Sequence, residues 1–258
     1  MKYYLVVSYD GTDFNGWQAQ KREGVRTVQE TLEGAAEKIF GRVTPITASG
    51  RTDAGVHALG QVCSFGAETT IPPEKIADCF NLLLPSDVKV VKSGRAAEDF
   101  DACRSAKKKT YVYSLYFSPR ENPLLSRYAV RVGKTPEAEA MRACAAAFVG
   151  THDFKAFCAA DSSAKTSVRT VYEVRIEKNA RLFGETLDIF VTGNGFLYNM
   201  VRTMVGTLLE GGFGRKTAAD VAAILRNPDR EKTGKTMPAK GLCLFSVAYD
   251  EKVFTKFS

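Results

Sequence analysis

The sequence predicts an α+β fold in which two successive βαββαβ halves share a central mixed or antiparallel sheet, with flanking helices and a cleft between the halves. The chain has 258 residues, enough for one large domain or two small ones. Its hydrophobic fraction of 45% and charged fraction of 25% are typical of a globular protein. Strand-like and helix-like patterns follow one another in the same order over residues 1–104 and again over residues 105–258.

The N-terminal half, residues 1–104, begins with a strand and a helix. Residues 3–9 alternate and are rich in β-forming side chains, which predicts a strand. Residues 27–40 place apolar side chains at helical spacing, and Thr27 with Glu30 has the pattern of a capping box. The other predicted elements of this half are strands at 45–49, 61–65 and 88–93 and a helix at 73–84.

The C-terminal half, residues 105–258, repeats this order without visible sequence identity to the first. It begins with "KTYVYSLYF" at 109–117, where aromatic and aliphatic side chains alternate as on one face of a strand. The other predicted elements are helices at 135–148, 196–209 and 217–225 and strands at 169–177, 186–192 and 242–249. The repeat is therefore one of topology.

The charge differs between the halves. Residues 1–104 contain 12 basic and 14 acidic side chains, whereas residues 105–258 contain 24 and 15. A basic second half predicts a polyanionic partner, most simply a nucleic acid. The alternative is a solvated surface with an excess of lysine.

Several classes of protein are disfavoured by composition. The six cysteines form no C-x-x-C pair, and the two histidines have no cysteine at ligand spacing, which argues against a zinc site. No apolar run reaches the roughly 18 residues of a membrane span. The N-terminal "MKYYLVVSYDG" has the pattern of a strand and not of a signal peptide, so we expect a cytoplasmic protein.

The segment "GRTDAGVHALGQV", residues 50–62, holds a carboxylate, Asp53, among glycines and small residues. A guanidinium two positions before it, that of Arg51, would favour the ionised carboxylate and so a nucleophile. The structural alternatives are an Asx turn at Asp53 and a plain ion pair at Arg51. A general acid would need an apolar pocket or a second carboxylate, and no second carboxylate is near in sequence.

The segment "SYDGTDFNGWQAQ", residues 8–20, superficially resembles the D-x-D-G-T motif of aspartate-based phosphohydrolases. The nucleophile of that motif would fall at Ser8, so a phosphohydrolase is disfavoured. We expect instead a strand that ends in a turn, with Trp17 covering the edge of the core.

The segment "SAKKKTYVYSLYF", residues 105–117, joins Lys107, Lys108 and Lys109 to alternating tyrosines. Lysines neutralise phosphates and tyrosines stack on bases, so Tyr111 is a candidate RNA contact. The alternative is a strand edge protected by lysines and followed by core aromatics.

The segment "NGFLYNMVRTMVGTLL", residues 194–209, has one charged side chain, Arg202, in an otherwise apolar helix. If Arg202 is buried it needs an anionic partner, for which Asp53 is a candidate. The alternative is an arginine on the exposed face of the helix.

Taken together, these segments resemble the TruA family of tRNA pseudouridine synthases over almost the whole chain. The motifs "YDGTDFNGWQAQ", "RTVQETLE", "GRTDAGVHALGQV", "KKKTYVY", "GTHDF", "GFLYNMVR" and "PAKGLCL" occur in order and at family-like spacing. The R-T-D-A-G-V-H segment is close to diagnostic. One departure is Cys103, which stands where the family often places a basic residue.

The resemblance implies the pseudouridine synthase fold and an isomerase that converts uridine to pseudouridine in the tRNA anticodon stem-loop, at positions 38, 39 and 40. It also implies a homodimer without metal or organic cofactor. By the same resemblance, Asp53 is the catalytic aspartate and Tyr111 stacks on the target base. The matching positions make Arg51 and Arg202 the basic residues flanking the aspartate, and Leu244 an apolar wall of the uracil pocket. The competing interpretation is a non-catalytic RNA-binding module.

Overall fold

The computed structural model describes residues 1–20, 22, 24–159 and 164–250, which form two compact units. Unit 1 contains Met1–Lys107 and the described residues from Cys243 onward, and unit 2 contains Lys108–Leu242. The first break lies close to the boundary predicted after residue 104. The last strand, however, belongs with the N-terminal unit, where it pairs with one strand.

Helices and strands are interspersed along the chain. In order they are β1 (Lys2–Tyr9), α1 (Val28–Phe40), β2 (Thr47–Ala48), β3 (His57–Gly66), α2 (Ile76–Leu83), β4 (Val88–Arg95), β5 (Lys108–Phe117), β6 (Val130–Val132), α3 (Ala138–Ala146), β7 (Gly150–Asp153), β8 (Val168–Arg181), β9 (Gly184–Gly193), α4 (Met200–Gly212), α5 (Ala218–Arg226) and β10 (Leu242–Ala248). No helix of the described residues is long and apolar enough to cross a membrane.

In unit 1 the strands lie in the order β4-β1-β3-β10, and the short β2 also pairs with β3. β1 is antiparallel to both neighbours, whereas β10 runs parallel to β3. Helix α1 begins as predicted: the Thr27 hydroxyl accepts the Glu30 N–H and donates to the Glu30 carboxylate. Gly41 ends it in the left-handed conformation, at φ 69°.

In unit 2 the strands lie in the order β5-β9-β8-β7, all antiparallel to their neighbours, and β6 pairs with β5 in parallel. The α+β class with mixed strand directions is therefore confirmed. The predicted cleft between the halves stays a prediction.

Three local features differ from the predicted elements. Strands β6 and β7 were not predicted, because each is too short to show a periodic pattern. Helix α4 begins at Met200 and not at residue 196, since Asn199 has a left-handed backbone with φ 63°.

Helix α4 passes through the core of unit 2 at a point where two backbones touch. A Cβ added to Gly206 would lie 2.0 Å from the carbonyl oxygen of Lys235, and one added to Gly234 would lie 2.2 Å from the carbonyl carbon of Gly206. The Thr207 hydroxyl accepts the Gly234 N–H at 2.8 Å. The backbone of residues 234–235 can pack this closely against α4 only because position 206 is a glycine.

We expect Gly206→Ala to lower the free energy of unfolding by about 1–3 kcal/mol, because the methyl group forces the backbones apart. The matched control is Gly34→Ala in α1, where an added Cβ meets nothing within 4 Å. That substitution should stabilise the protein by about 0.5–1 kcal/mol, since alanine is the better helix former. Urea unfolding compares the two, and equal stabilities would contradict the close packing at Gly206.

Candidate active site

The segment from Gly50 to Val56, called the Asp53 loop below, joins β2 to β3. It is closed by a turn in which the Val56 N–H donates to the carbonyl of Asp53 at 3.1 Å. Gly55 has φ 77°, the positive value that the third residue of a type II turn requires. The turn exposes Asp53 partly, and it leaves Arg51 exposed.

The Asp53 loop is held on one side by the backbone of residues 10–17, which follow β1. The Trp17 N–H donates to the carbonyl of Thr52 at 2.9 Å, and the Gly55 N–H donates to the carbonyl of Phe14 at 3.3 Å. A Cβ on Gly16 would lie 2.7 Å from the Thr52 carbonyl oxygen. The two loops therefore meet backbone against backbone, with little space for a side chain between them.

Side chains fasten the same loop from two strands. The Tyr9 hydroxyl of β1 lies 2.8 Å from the Thr52 hydroxyl, in a buried position. From β3, the fully buried Gln61 donates to the Gly50 carbonyl at 2.7 Å and accepts from the Ser49 hydroxyl at 2.6 Å. These contacts fix the residues that precede Asp53, whereas the Gly55–Phe14 bond fixes the loop after it.

Leu244 also lies in unit 1. It is fully buried on β10 and pairs in parallel register with Ala58, just after the Asp53 loop. Unit 1 thus contains three of the predicted site residues, Asp53, Arg51 and Leu244, on the loop and on the strand that pairs with the first residues of β3.

Tyr111 lies in unit 2 on β5, in register with Val191 of β9, and its side chain is buried. Its ring packs edge-to-face on Phe196, with the ring centroids 5.4 Å apart at 88°. The neighbouring tyrosines of the strand, Tyr113 and Tyr116, are core residues. Burial raises the pKa of Tyr113, whose protonated hydroxyl donates to the carbonyl of Pro238.

Arg202 lies on α4 and is half-buried, so its exposure is intermediate between the buried and the exposed arginine that the sequence allowed. Its Nε donates to the carbonyl of Met237 at 2.6 Å, and an Nη donates to the Asn199 side-chain oxygen at 2.6 Å. Its charge acts on Tyr113 and favours the ionised phenol, against the larger effect of burial. The residues just before α4 therefore contact both predicted site residues of unit 2. Phe196 packs against Tyr111, and the Asn199 side chain accepts a hydrogen bond from Arg202. The ion pair between Arg202 and Asp53 stays a prediction.

The three consecutive lysines at 107–109, where β5 begins, have different surroundings. Lys107 forms an exposed ion pair with Asp250 at 3.2 Å. The Lys108 ammonium lies 5.2 Å from the centre of the Tyr172 ring, a cation–π distance. Lys109 is half-buried. Exposed ion pairs of this kind contribute little to stability, so Lys107 can exchange Asp250 for another anion at small cost.

Residues 10–17 have a role that their sequence pattern did not predict. The pattern predicted only a turn with Trp17 at the edge of the core, and Trp17 is indeed buried, beside Tyr9. The segment also forms one wall of the Asp53 loop. Gly11 and Gly16 were the visible signal, because glycines at such positions permit close backbone approach. The described residues contain no group of three or more His, Cys, Asp or Glu side chains that could hold a metal ion.

Comparison with known proteins gives a consistent picture. The chain matches the tRNA pseudouridine synthase family over residues 5–103 and 144–250. It is 44% identical to a tRNA pseudouridine synthase A of Shouchella clausii over 96% of this chain and 93% of that protein. It is 42% identical to that of Bacillus pumilus, over 97% and 100%, and 40% identical to that of Acetivibrio thermocellus, over 95% and 98%.

The hydroxyl pair that fastens the Asp53 loop predicts an energetic coupling. We expect Tyr9→Phe and Thr52→Val each to lower the free energy of unfolding by about 1–2 kcal/mol, because each leaves a buried hydroxyl without this partner. The double variant should cost about as much as either single one, a coupling of about 1–2 kcal/mol. Tyr172→Phe, at an exposed position on β8, is the matched control and should have the stability of the wild type. Strictly additive effects in urea unfolding would contradict the contact.

Proposed function

Because this chain belongs to the tRNA pseudouridine synthase A family, isomerases that form pseudouridine in tRNA, we propose that it acts on the anticodon stem-loop with Asp53 as the nucleophile. The target uridines are those at positions 38, 39 and 40. The active form is a homodimer, and the reaction takes place in the cytoplasm without a metal or organic cofactor.

The observation that carries the role of Asp53 is the way its loop is held. The carboxylate is partly exposed, while backbone bonds from residues 10–17 and side-chain bonds from β1 and β3 fix the residues on either side of it. A reacting group that is fixed before the substrate arrives lowers the entropic cost of reaching the transition state. This rigidity suits a nucleophile that must meet one atom of a flipped nucleotide.

The reaction requires three changes at the target nucleotide. The N1–C1′ glycosidic bond breaks, the uracil turns, and a C5–C1′ bond forms, after which C5 loses its proton and N1 carries one. An ionised carboxylate supports this by attack on the base at C6, by attack on the sugar at C1′, or by stabilising the cation that forms at C1′. All three routes return Asp53 to its starting state.

The remaining site residues receive roles that suit their chemistry. Tyr111 offers a ring on which the flipped base stacks, which offsets part of the cost of leaving the helix. Arg51, two residues before Asp53, favours the ionised carboxylate, and Arg202 supplies the second positive charge of the proposal. Leu244 gives the uracil pocket an apolar wall, which keeps water from the detached base.

The basic residues that follow residue 104 hold the tRNA by its phosphates. These contacts position the RNA without reading its bases, so they set affinity and not the choice of uridine. Lys107 and Lys108, exposed just before Tyr111, are the natural candidates among them.

The proposal is tested by mapping pseudouridine in an unmodified tRNA transcript after incubation with the purified protein. We expect pseudouridine at positions 38, 39 or 40, wherever the transcript has uridine there. Pseudouridine confined to another region of the tRNA would contradict the anticodon assignment. Tight binding without any pseudouridine would favour the non-catalytic RNA-binding module.

Tyr111 gives a second prediction, because its ring and its hydroxyl are separable. Tyr111→Phe should bind tRNA as the wild type does and lose about 10²-fold in kcat, if the hydroxyl assists removal of the C5 proton. Tyr111→Ala should lose both affinity and kcat, since the stacking surface is gone.

The matched control is Tyr116→Phe on the same strand, whose hydroxyl accepts the Asn122 N–H at 3.2 Å within the core. It should keep the wild-type kcat. Binding assays and single-turnover rates separate the two functions of Tyr111. Wild-type rates for both the Phe and the Ala variant would make Tyr111 a core residue only.

A further inference from the structure

We propose that His57 is a positioning residue for the Asp53 loop, and that it holds this loop only as the neutral imidazole. The effect on catalysis rests on the proposed function, whereas the effect on the hydrogen bonding of His57 does not.

His57 is the first residue of β3, directly after the Asp53 loop, and it is buried. Its Nδ1 accepts the backbone N–H of Gly11 at 3.0 Å. A nitrogen that accepts an N–H carries no proton of its own, so the proton of the neutral ring lies on Nε2. The bond joins the start of β3 to the turn after β1.

Gly11 is the point at which that turn rests on the Asp53 loop. A Cβ added to Gly11 would lie only 2.0 Å from the carbonyl oxygen of Val56, the last residue of the loop. The His57–Gly11 bond therefore holds the turn and the loop together at their closest approach. The same turn continues into Phe14 and Trp17, whose backbones bond to Gly55 and Thr52.

A second partner competes for the same nitrogen. The Asp10 Oδ1 lies 3.2 Å from His57 Nδ1, and it also accepts the backbone N–H of Thr12 at 3.0 Å and the Thr12 hydroxyl at 2.6 Å. When Nδ1 is protonated it becomes a donor, and Asp10 is then its acceptor. The Gly11 N–H loses its acceptor in that state, so protonation replaces the bond that holds the loop.

The other titratable groups near this pair are either paired with each other or neutral, so Asp10 is the anion that contacts His57. The Asp10 N–H donates to the backbone carbonyl of Asp87, whose side chain is paired with Arg26. This pairing lowers the pKa of Asp87 and raises that of Arg26, which Asp13 raises further, so the pair stays charged and compensated. On β10, Cys243 lies in register with His57, and burial raises the pKa of its thiol to about 12, which keeps it neutral.

The expected pH dependence follows from these contacts. As the pH falls and His57 takes up a proton, kcat should fall because the Asp53 loop is no longer held in place. The affinity for tRNA should be kept, because the RNA-binding surface is unchanged. Removing the negative charge of Asp10 makes protonation of His57 less favourable. Asp10→Asn should therefore move the loss of kcat to lower pH, and its amide oxygen still accepts the two Thr12 bonds.

Two substitutions of His57 separate the hydrogen bond from mere packing. His57→Asn places an amide oxygen near the position of Nδ1, so it accepts the Gly11 N–H but does not titrate. At neutral pH it should keep a kcat close to that of the wild type. On acidification its kcat should not show the fall that protonation of His57 causes in the wild type. His57→Leu fills similar space without an acceptor, and we expect it to lose about tenfold or more in kcat at neutral pH with KM unchanged.

Nitrogen NMR of the imidazole rings tests the tautomer directly and needs no activity. The chain has only two histidines, His57 and His152, so the variant His152→Gln assigns the signals. We expect His57 in the Nε2–H form at neutral pH and protonation at Nδ1 on acidification. An Nδ1–H ring, or a charged ring at the pH of full activity, would overturn the inference even if His57→Leu fails to fold.

The activity measurements distinguish this inference from the proposed function. If the wild type forms no pseudouridine in tRNA, the proposed function fails and the NMR result still decides the tautomer. If the wild type is active but His57→Asn keeps the same acidic loss of kcat, His57 is not the group that positions the loop.

Discussion

The contact on which the candidate site depends is the close packing of two backbones in unit 1. Gly11 meets the carbonyl of Val56 and Gly16 meets that of Thr52, at distances that exclude a Cβ on either glycine. Hydrogen bonds from Trp17 and to Phe14 run across the same contact. Because the loops touch directly, a displacement of residues 10–17 moves Asp53 as well.

This constraint suits chemistry that relies on one carboxylate. A lone nucleophile gains most from accurate placement, since an error of about 1 Å costs on the order of 10²-fold in rate. The Tyr9–Thr52 and Gln61–Gly50 bonds add support from two strands. In unit 2, Tyr111 is set in a regular strand and Arg202 is held by Met237 and Asn199, so these side chains are also fixed by their surroundings.

Local sequence patterns predicted the long elements and the motif at Asp53, but not the contacts that hold this loop. Helix α1 and strands β1, β4 and β5 follow periodicity and caps, which are local signals. The pairing of β10 with β3 joins distant parts of the chain, so the strand was predicted but its partner was not. Strands β6 and β7 are too short to show a local pattern. His57 and Gly11 lie 46 residues apart, and only the fold brings Nδ1 to that N–H.

The most direct test of the account is release of tritium from C5 of uridine in tRNA by the wild type and by Asp53→Asn. Replacing the carboxylate with an amide keeps the shape of the side chain and removes the nucleophile. We expect the wild type and the control Asp99→Asn, at an exposed aspartate, to release the label. Asp53→Asn should release none while binding tRNA with wild-type affinity. Turnover by Asp53→Asn that is shown to be free of wild-type enzyme would contradict the central role of this carboxylate.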